Sequence, residues 1–331
     1  MNPQPAMDVP WLAPQMDQLR RARLAGRFPS ALLIHDQRGA GGVWLAHHAA
    51  RLALCRAALP PCGSCRDCRL LLAAQHPDFI TVAPLEDSKQ IRIEQIRDLA
   101  EQLTLTAHAG GATVAVIAPA DAMNANAANA LLKTLEEPRS GVSLILVASV
   151  PSRLPATILS RCQPLRVCAP TRDVALRWLE RYHGPGPWPA VLGVLGCAPF
   201  EAAQVNPVDV ARLATETFAT LRDLVVGSLG VAGLAERWTR AENFGLRLAC
   251  IETWLTACVH RAAGATDESL ELSTGAHLPA ASWDMNIAAL LRLLDGAFEL
   301  RRMRLSSINL SIALEQLLWQ LPRAVRAAAS I

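Results

Sequence analysis

Cysteines, a glycine-rich turn and one arginine carry the spacings in this chain that could do chemistry. Cys55, Cys62, Cys65 and Cys68 form C-x6-C-x2-C-x2-C, four thiols within fourteen positions. Two-residue gaps let neighbouring sulfurs converge on one ion, and Gly63 relieves the turn between them, as tetrahedral zinc with metal–sulfur bonds of about 2.3 Å requires. An iron–sulfur cluster uses the same thiolates, and packed or redox-active thiols are the plain alternative. Nothing else in the sequence suggests electron transfer. The scattered Cys162, Cys168, Cys197, Cys250 and Cys258 read mostly as core packing.

The second constellation is Gly39-Ala40-Gly41-Gly42-Val43. A working phosphate loop, G-x-x-x-x-G-K-[ST], needs a lysine on the β- and γ-phosphates and a hydroxyl on Mg²⁺. Aligned on Gly41, the segment places Asp36 at the first glycine, Gly42 at the lysine and Val43 at the hydroxyl. The chain's two lysines, Lys89 and Lys133, lie far from it in sequence. A strand expected over residues 113–118 should end in acids if it served Mg²⁺ and the attacking water; it ends in Ala118-Pro119. Asp121, further on, reads as a turn residue or cap. Hydrolysis by this chain, and productive ATP binding, are therefore not expected. The third feature is Ser160-Arg161-Cys162, where an isolated arginine would read as a surface ion-pair residue.

These residues need a frame. Runs at 31–34, 78–83, 113–118, 143–148 and 165–168 are β-branched and separated by helical sequence, the pattern of parallel strands with crossover helices. Ala128, Leu131, Leu132 and Leu135 give residues 127–137 one apolar face, closed by Pro138. A short helix is expected at 155–159 and another from Thr171, broken by Gly184-Pro185-Gly186-Pro187. Val210, Leu213, Ala214, Thr217, Leu221 and Leu224 keep helical spacing, as do Leu310, Leu314, Leu317, Leu318 and Leu321. The expected fold class is α/β: a P-loop-type parallel-sheet module over 1–166 with the cysteine module inserted at about 55–68. A small helical unit over 167–207 and an all-α domain over 208–331, with a polar break around 262–273, follow it.

Composition narrows the function. The chain has 331 residues, and 51% of them are hydrophobic, which excludes a largely disordered protein and calls for more than one domain. A formal net charge of +3 is too small to argue by itself for nucleic acid. No uninterrupted apolar run of about 18 residues is present and Met1 to Met7 carry no secretory pattern, so a cytoplasmic protein without a membrane partner is expected.

Taken together, Ala31-Leu-Leu-Ile-His35, the cysteine module, His76-Pro-Asp-Phe79, Asn129-Ala-Leu-Leu-Lys-Thr-Leu-Glu-Glu-Pro138 and Ser160-Arg-Cys162 resemble the bacterial clamp-loader family of DNA polymerase III. Within it, the degraded loop and missing acids are similar to the delta-prime branch and unlike the ATP-hydrolysing gamma/tau type. The matching motifs run from about 28 to 170, and Asn309 to Leu318 resembles the family's last collar helix. The resemblance implies an AAA+ module, a small helical lid and a helical collar that closes a hetero-pentameric ring with gamma/tau and delta subunits. That ring loads a sliding clamp on primed DNA. It implies structural zinc on the four cysteines, although the first gap is x6 where eight is common. It further implies that Arg161 is an arginine finger presented to a neighbour's ATP. Gly196-Cys-Ala-Pro199 lacks the lid's sensor arginine. Two other readings compete: an active AAA+ ATPase of the gamma/tau type, and a zinc-bearing nucleic-acid module whose Arg56, Arg66 and Arg69 make a basic face.

Overall fold

A computed structural model describes residues 7–37, 39–85, 88–104, 111–265, 284–303 and 309–326. They form two compact units, Met1–Val174 and Ala175–Ile331. The first is built on five parallel strands, β1 (Ala31–Asp36), β2 (Phe79–Val82), β3 (Thr113–Ile117), β4 (Val142–Ala148) and β5 (Gln163–Val167), in the order β2-β3-β4-β1-β5. β3 and β4 are buried at every position, and their continuous apolar runs are what strands covered on both faces require. All five expected strands are present, with shifted ends. β5 begins two residues earlier than its apolar run because it is an edge strand, where Pro164 opposite Leu33 need not donate to a further neighbour.

Successive side chains alternate between the two faces of the sheet. Leu33, Ala115, Ile117, Leu144 and Leu146 share one core with Ile96, Leu99 and Leu103 of α4 (Ile93–Thr104) and Leu131 and Leu135 of α5 (Ala125–Glu136). The other face packs against α2 (Gly42–Leu54), which follows α1 (Ala13–Leu24). α5 starts where the Asn124 side chain accepts the Ala127 N–H at 2.8 Å, a cap worth about 1 kcal/mol. Two short helices, α3 (Arg66–Leu72) and α6 (Ala156–Leu159), complete the unit.

The second unit is almost wholly helical. α7 (Arg172–His183), α8 (Trp188–Leu195) and α9 (Pro199–Ala202) come first. They are followed by α10 (Pro207–Val226), α11 (Leu234–Arg240), α12 (Phe244–Ala262), α13 (Ile287–Met303) and α14 (Leu310–Ala324). Val210, Leu213, Ala214, Thr217, Leu221 and Leu224 are all buried on α10, the face their spacing predicts. Asn206 caps that helix and Gly227, at φ 81°, ends it. One expectation is corrected: beyond Pro207 no strand was expected, yet Asp284–Met285 pairs antiparallel with Val325–Arg326, too short a pair to show a period of its own. Residues 266–273 of the expected polar break lie outside the described residues.

Candidate functional site

The cysteine module hangs from the end of α2. Cys55 follows its last turn, a loop carries Cys62, and Cys65 caps α3, on which Cys68 sits. Gly63 takes φ +73° in open space, the left-handed turn its position called for. All four ligand-type sulfurs lie within 4.8 Å of one another; Cys55 Sγ is 3.7 Å from Cys62 Sγ and 3.9 Å from Cys65 Sγ. Bonds of about 2.3 Å in a tetrahedron place sulfurs about 3.8 Å apart, so the set fits a tetrahedral thiophilic ion. Backbone N–H groups already face the sulfurs: Cys62 donates to Cys55 at 3.4 Å, Cys65 to Cys62 at 3.3 Å and Cys68 to Cys65 at 3.4 Å. The N–H groups of Cys65 and Ser64 bring the Cys62 thiol down to about 6, whereas burial pushes the Cys55 and Cys68 thiols up. A cation that favours thiolates offsets that burial cost.

The module is braced against the sheet through residues whose role the sequence did not disclose. Asp67, inside the cysteine motif, places Oδ1 3.4 Å from His76 Nε2 and Oδ2 3.6 Å from Arg56 Nε. His76 is buried, and its Nδ1 accepts the Asp78 N–H at 3.1 Å. The Asp78 carbonyl in turn accepts the N–H of Val114 at 2.9 Å. His76-Pro77-Asp78-Phe79 is thus a strut between α3 and β3. Arg56 leans on Asp67 instead of standing as part of a free basic face.

The glycine-rich turn joins β1 to α2 as a phosphate loop would. Gly39 and Gly41 are left-handed at φ 72° and 113°, and α2 starts at Gly42 without a side chain on its cap residue. The Asp36 carboxylate fills that place, accepting the N–H groups of Gly42 and Gly41. Burial pushes its pKa up to about 6, against these hydrogen bonds. A Cβ on Gly42 would lie 2.4 Å from Asp36 Cβ. Val43, at the hydroxyl position, is 43% exposed, and Trp11 Nε1 donates to the Ala40 carbonyl at 2.6 Å. Past β3, Asp121 Oδ2 accepts the Val150 N–H at 2.9 Å, a bond between turns.

Arg161 lies at the opposite end of the strands. It precedes β5, whose Gln163 pairs with Leu32 and Val167 with Asp36. At about 3.3 Å per residue the loop end of the strands is some 13 Å beyond the start of β5. The guanidinium is oriented by Glu136, whose Oε1 is 2.7 Å from Nη2, and by the Thr157 carbonyl, which accepts from Nη1 at 2.9 Å. Glu136 closes α5, and nothing in the local sequence marked it as this partner. Of the scattered cysteines, Cys162, Cys250 and Cys258 are buried, Cys197 is half-buried and Cys168 is exposed. Burial raises the Cys162 thiol to about 11 and the Cys250 thiol to about 12. The geometry thus gathers the four cysteines at one place, gathers the loop residues around Asp36, and keeps Arg161 apart from both.

No helix among the described residues is long and apolar enough to cross a membrane. The family model described as "DNA polymerase III, delta subunit" matches residues 12–171. The subunit delta′ of DNA polymerase III from Pseudomonas aeruginosa is 38% identical over 224 residues, 66% of this chain and 68% of that protein. Its counterpart in Escherichia coli strain K12 is 38% identical over 174 residues, spanning 52% of each chain. The Escherichia coli subunit tau is 31% identical over 163 residues, 49% of this chain and 25% of tau. The residues the family model covers include the cysteine module, the loop and Ser160-Arg161-Cys162, and the extent of the Pseudomonas match places the chain in the delta′ subunit family of DNA polymerase III.

Proposed function

We propose that this chain is a non-hydrolysing member of a clamp-loader ring that completes the ATP site of a neighbouring subunit. The observation that carries the reading is the separation of Arg161 from its own loop. The two stand at opposite ends of neighbouring parallel strands, the loop after β1 and the arginine before β5. A guanidinium is permanently charged and planar, suited to charge developing on a γ-phosphate. From that end it has no nucleotide to serve within this chain. The loop supports the same conclusion, with Gly42 and Val43 where a lysine and a hydroxyl are needed and with a buried carboxylate in its centre.

In this reading Arg161 is an arginine finger acting in trans, a role worth about 10³ to 10⁵ in rate at the site it serves. The four cysteines hold a structural Zn²⁺, which supplies a cross-link between the end of α2 and α3 and no reaction step. Residues 167–207 serve as lid and 208–331 as collar. The partners are gamma/tau and delta subunits in a hetero-pentamer, with the sliding clamp and primed DNA met through the assembled ring in the cytoplasm. An active ATPase of the gamma/tau type gains no support from a loop where Gly42 cannot carry a Cβ beside Asp36.

Two measurements test this. Co-purification with gamma/tau and delta subunits, followed by mass determination, should give one hetero-oligomer containing this chain. The isolated chain should release no phosphate from ATP above a mock-purified control. Failure to enter the oligomer, or release that Gly41→Glu abolishes, contradicts the proposal.

A further inference from the structure

We infer that Asp36 is the resident anion of the loop: its carboxylate stands where a strand-loop-helix frame would cradle a phosphate, and it is this occupant that keeps phosphate-bearing ligands out. The inference rests on reading residues 36–43 as a phosphate-loop frame.

The N-terminus of a helix such as α2, preceded by left-handed glycines, is a ready anion site, because free backbone N–H groups and the helix dipole point at one spot. In this chain the donors at that spot, Gly41 and Gly42, are engaged by the Asp36 side chain. Asp36 is only 7% exposed, and its Oδ1 is buried without a hydrogen-bond partner. A helix cap alone does not call for that arrangement. Asn side chains, half-buried at Asn124 and exposed at Asn206 and Asn309, do the same work in this molecule without burying an unpaired oxygen. The unpaired oxygen is the cost of holding a charge inside the cradle.

Space makes the same point as charge. An ideal Cβ at Gly42 would sit 2.4 Å from Asp36 Cβ, 2.6 Å from its Cγ and 2.9 Å from its Oδ2. Asp36 and Gly42 therefore form a matched pair: the carboxylate fits only because the residue at the lysine position has no side chain. Restoring a lysine at 42 by itself would drive its Cβ into Asp36. Loss of the lysine and gain of the acid thus close the loop together, and a phosphate entering it would meet both a filled volume and a negative charge.

The test is calorimetric titration of inorganic tripolyphosphate, without metal and at low ionic strength, into the full-length wild-type chain and into Asp36→Ser. Serine is small and can still cap a helix, so the variant frees the cradle with little loss of local order. Asp36→Ala is read in its place if circular dichroism shows that the serine variant misfolds. The expected result is at least tenfold tighter binding by the variant than by wild type, lost again on adding Gly41→Glu. Wild-type affinity equal to the variant's overturns the inference, as does a folded variant that gains nothing. In the latter case an inert wild-type chain leaves the proposed function standing, because the missing lysine would then be sufficient to explain it. ATP hydrolysis by the wild-type chain contradicts the proposed function itself.

Discussion

The two ends of the same pair of parallel strands, β1 and β5, have had opposite fates. At the end after β1, charge is turned inward: Asp36 is buried, Gly42 leaves it room, and an apolar Val43 faces solvent. At the end before β5, charge is turned outward: the Arg161 side chain is 35% exposed and is held by Glu136 and the Thr157 carbonyl. A buried loop filled by its own carboxylate offers no site to a partner. An exposed, oriented guanidinium can serve a partner. The difference shows how a nucleotide-binding frame can be kept for its geometry after its chemistry has been replaced by packing, with α2 still spanning from the loop to Cys55.

The largest effect available bears on that shared frame. One zinc ion per chain is expected on Cys55, Cys62, Cys65 and Cys68. Structural zinc carries apparent free energies of about 10–16 kcal/mol in small modules, so chelation should unfold at least residues 55–72. Elemental analysis should show Cys65→Ser and Cys55→Ser both losing the ion, because Cys55 Sγ stands as close to its neighbours as the others do despite the x6 gap. Full zinc in Cys55→Ser contradicts the four-cysteine site.

A smaller effect isolates the silent end. The Asp36 carboxyl is raised from 3.8 to about 6 by burial, so the folded chain binds its proton more tightly than the unfolded one. Its contribution favours the folded state fully below about pH 4 and is lost as pH rises through about 6. Two units correspond to about 3 kcal/mol at most. His47 and His48, both lowered to about 4 mainly by burial, act in the opposite sense: their contribution is present above about 6.5 and is lost as pH falls through about 4. Comparing wild type with Asp36→Asn at each pH removes the histidines from the result. The variant should be more stable by about 1–3 kcal/mol at pH 8 and nearly equal at pH 4. Equal stability at both pH values would mean that Asp36 is not buried as a charge.

The smallest effect belongs to the other end. Glu136→Gln breaks an ion pair whose side chains are 35% and 51% exposed. Stability should change by under about 0.5 kcal/mol, as denaturant titration would show. A loss above about 2 kcal/mol, the level of a core truncation, would show that Glu136 holds up the fold instead of orienting Arg161.

Much of this was legible before any coordinates. The buried strands announced themselves because β3 and β4, covered on both faces, have no polar alternation to confuse the reading. α10 was equally plain, since one apolar face in period with the helix is sufficient. The start of β5 was hidden by Gln163 and Pro164, residues that only an edge tolerates. The cysteine set could be read because metal ligation depends on sequence-local spacing. The contacts that define the rest do not: Asp36 with Gly42 is a clash distance, Glu136 with Arg161 joins residues twenty-five positions apart, and His76 with Asp67 becomes visible only once α3 is docked. Residue type gave each of these the look of an ordinary surface acid or histidine.

The central claim is that Arg161 acts on a neighbour's nucleotide, and the steady-state ATPase of a reconstituted ring, stimulated by clamp and primed DNA, tests it most directly. The ring containing Arg161→Ala should assemble normally, because losing an exposed arginine shifts stability by under about 0.5 kcal/mol. Its hydrolysis should fall, and only in part, since sites served by other subunits keep their own arginines. Arg161→Lys should not restore the rate, because an ammonium lacks the planar fork. A normally assembled Arg161→Ala ring that hydrolyses ATP at the wild-type rate would contradict the account.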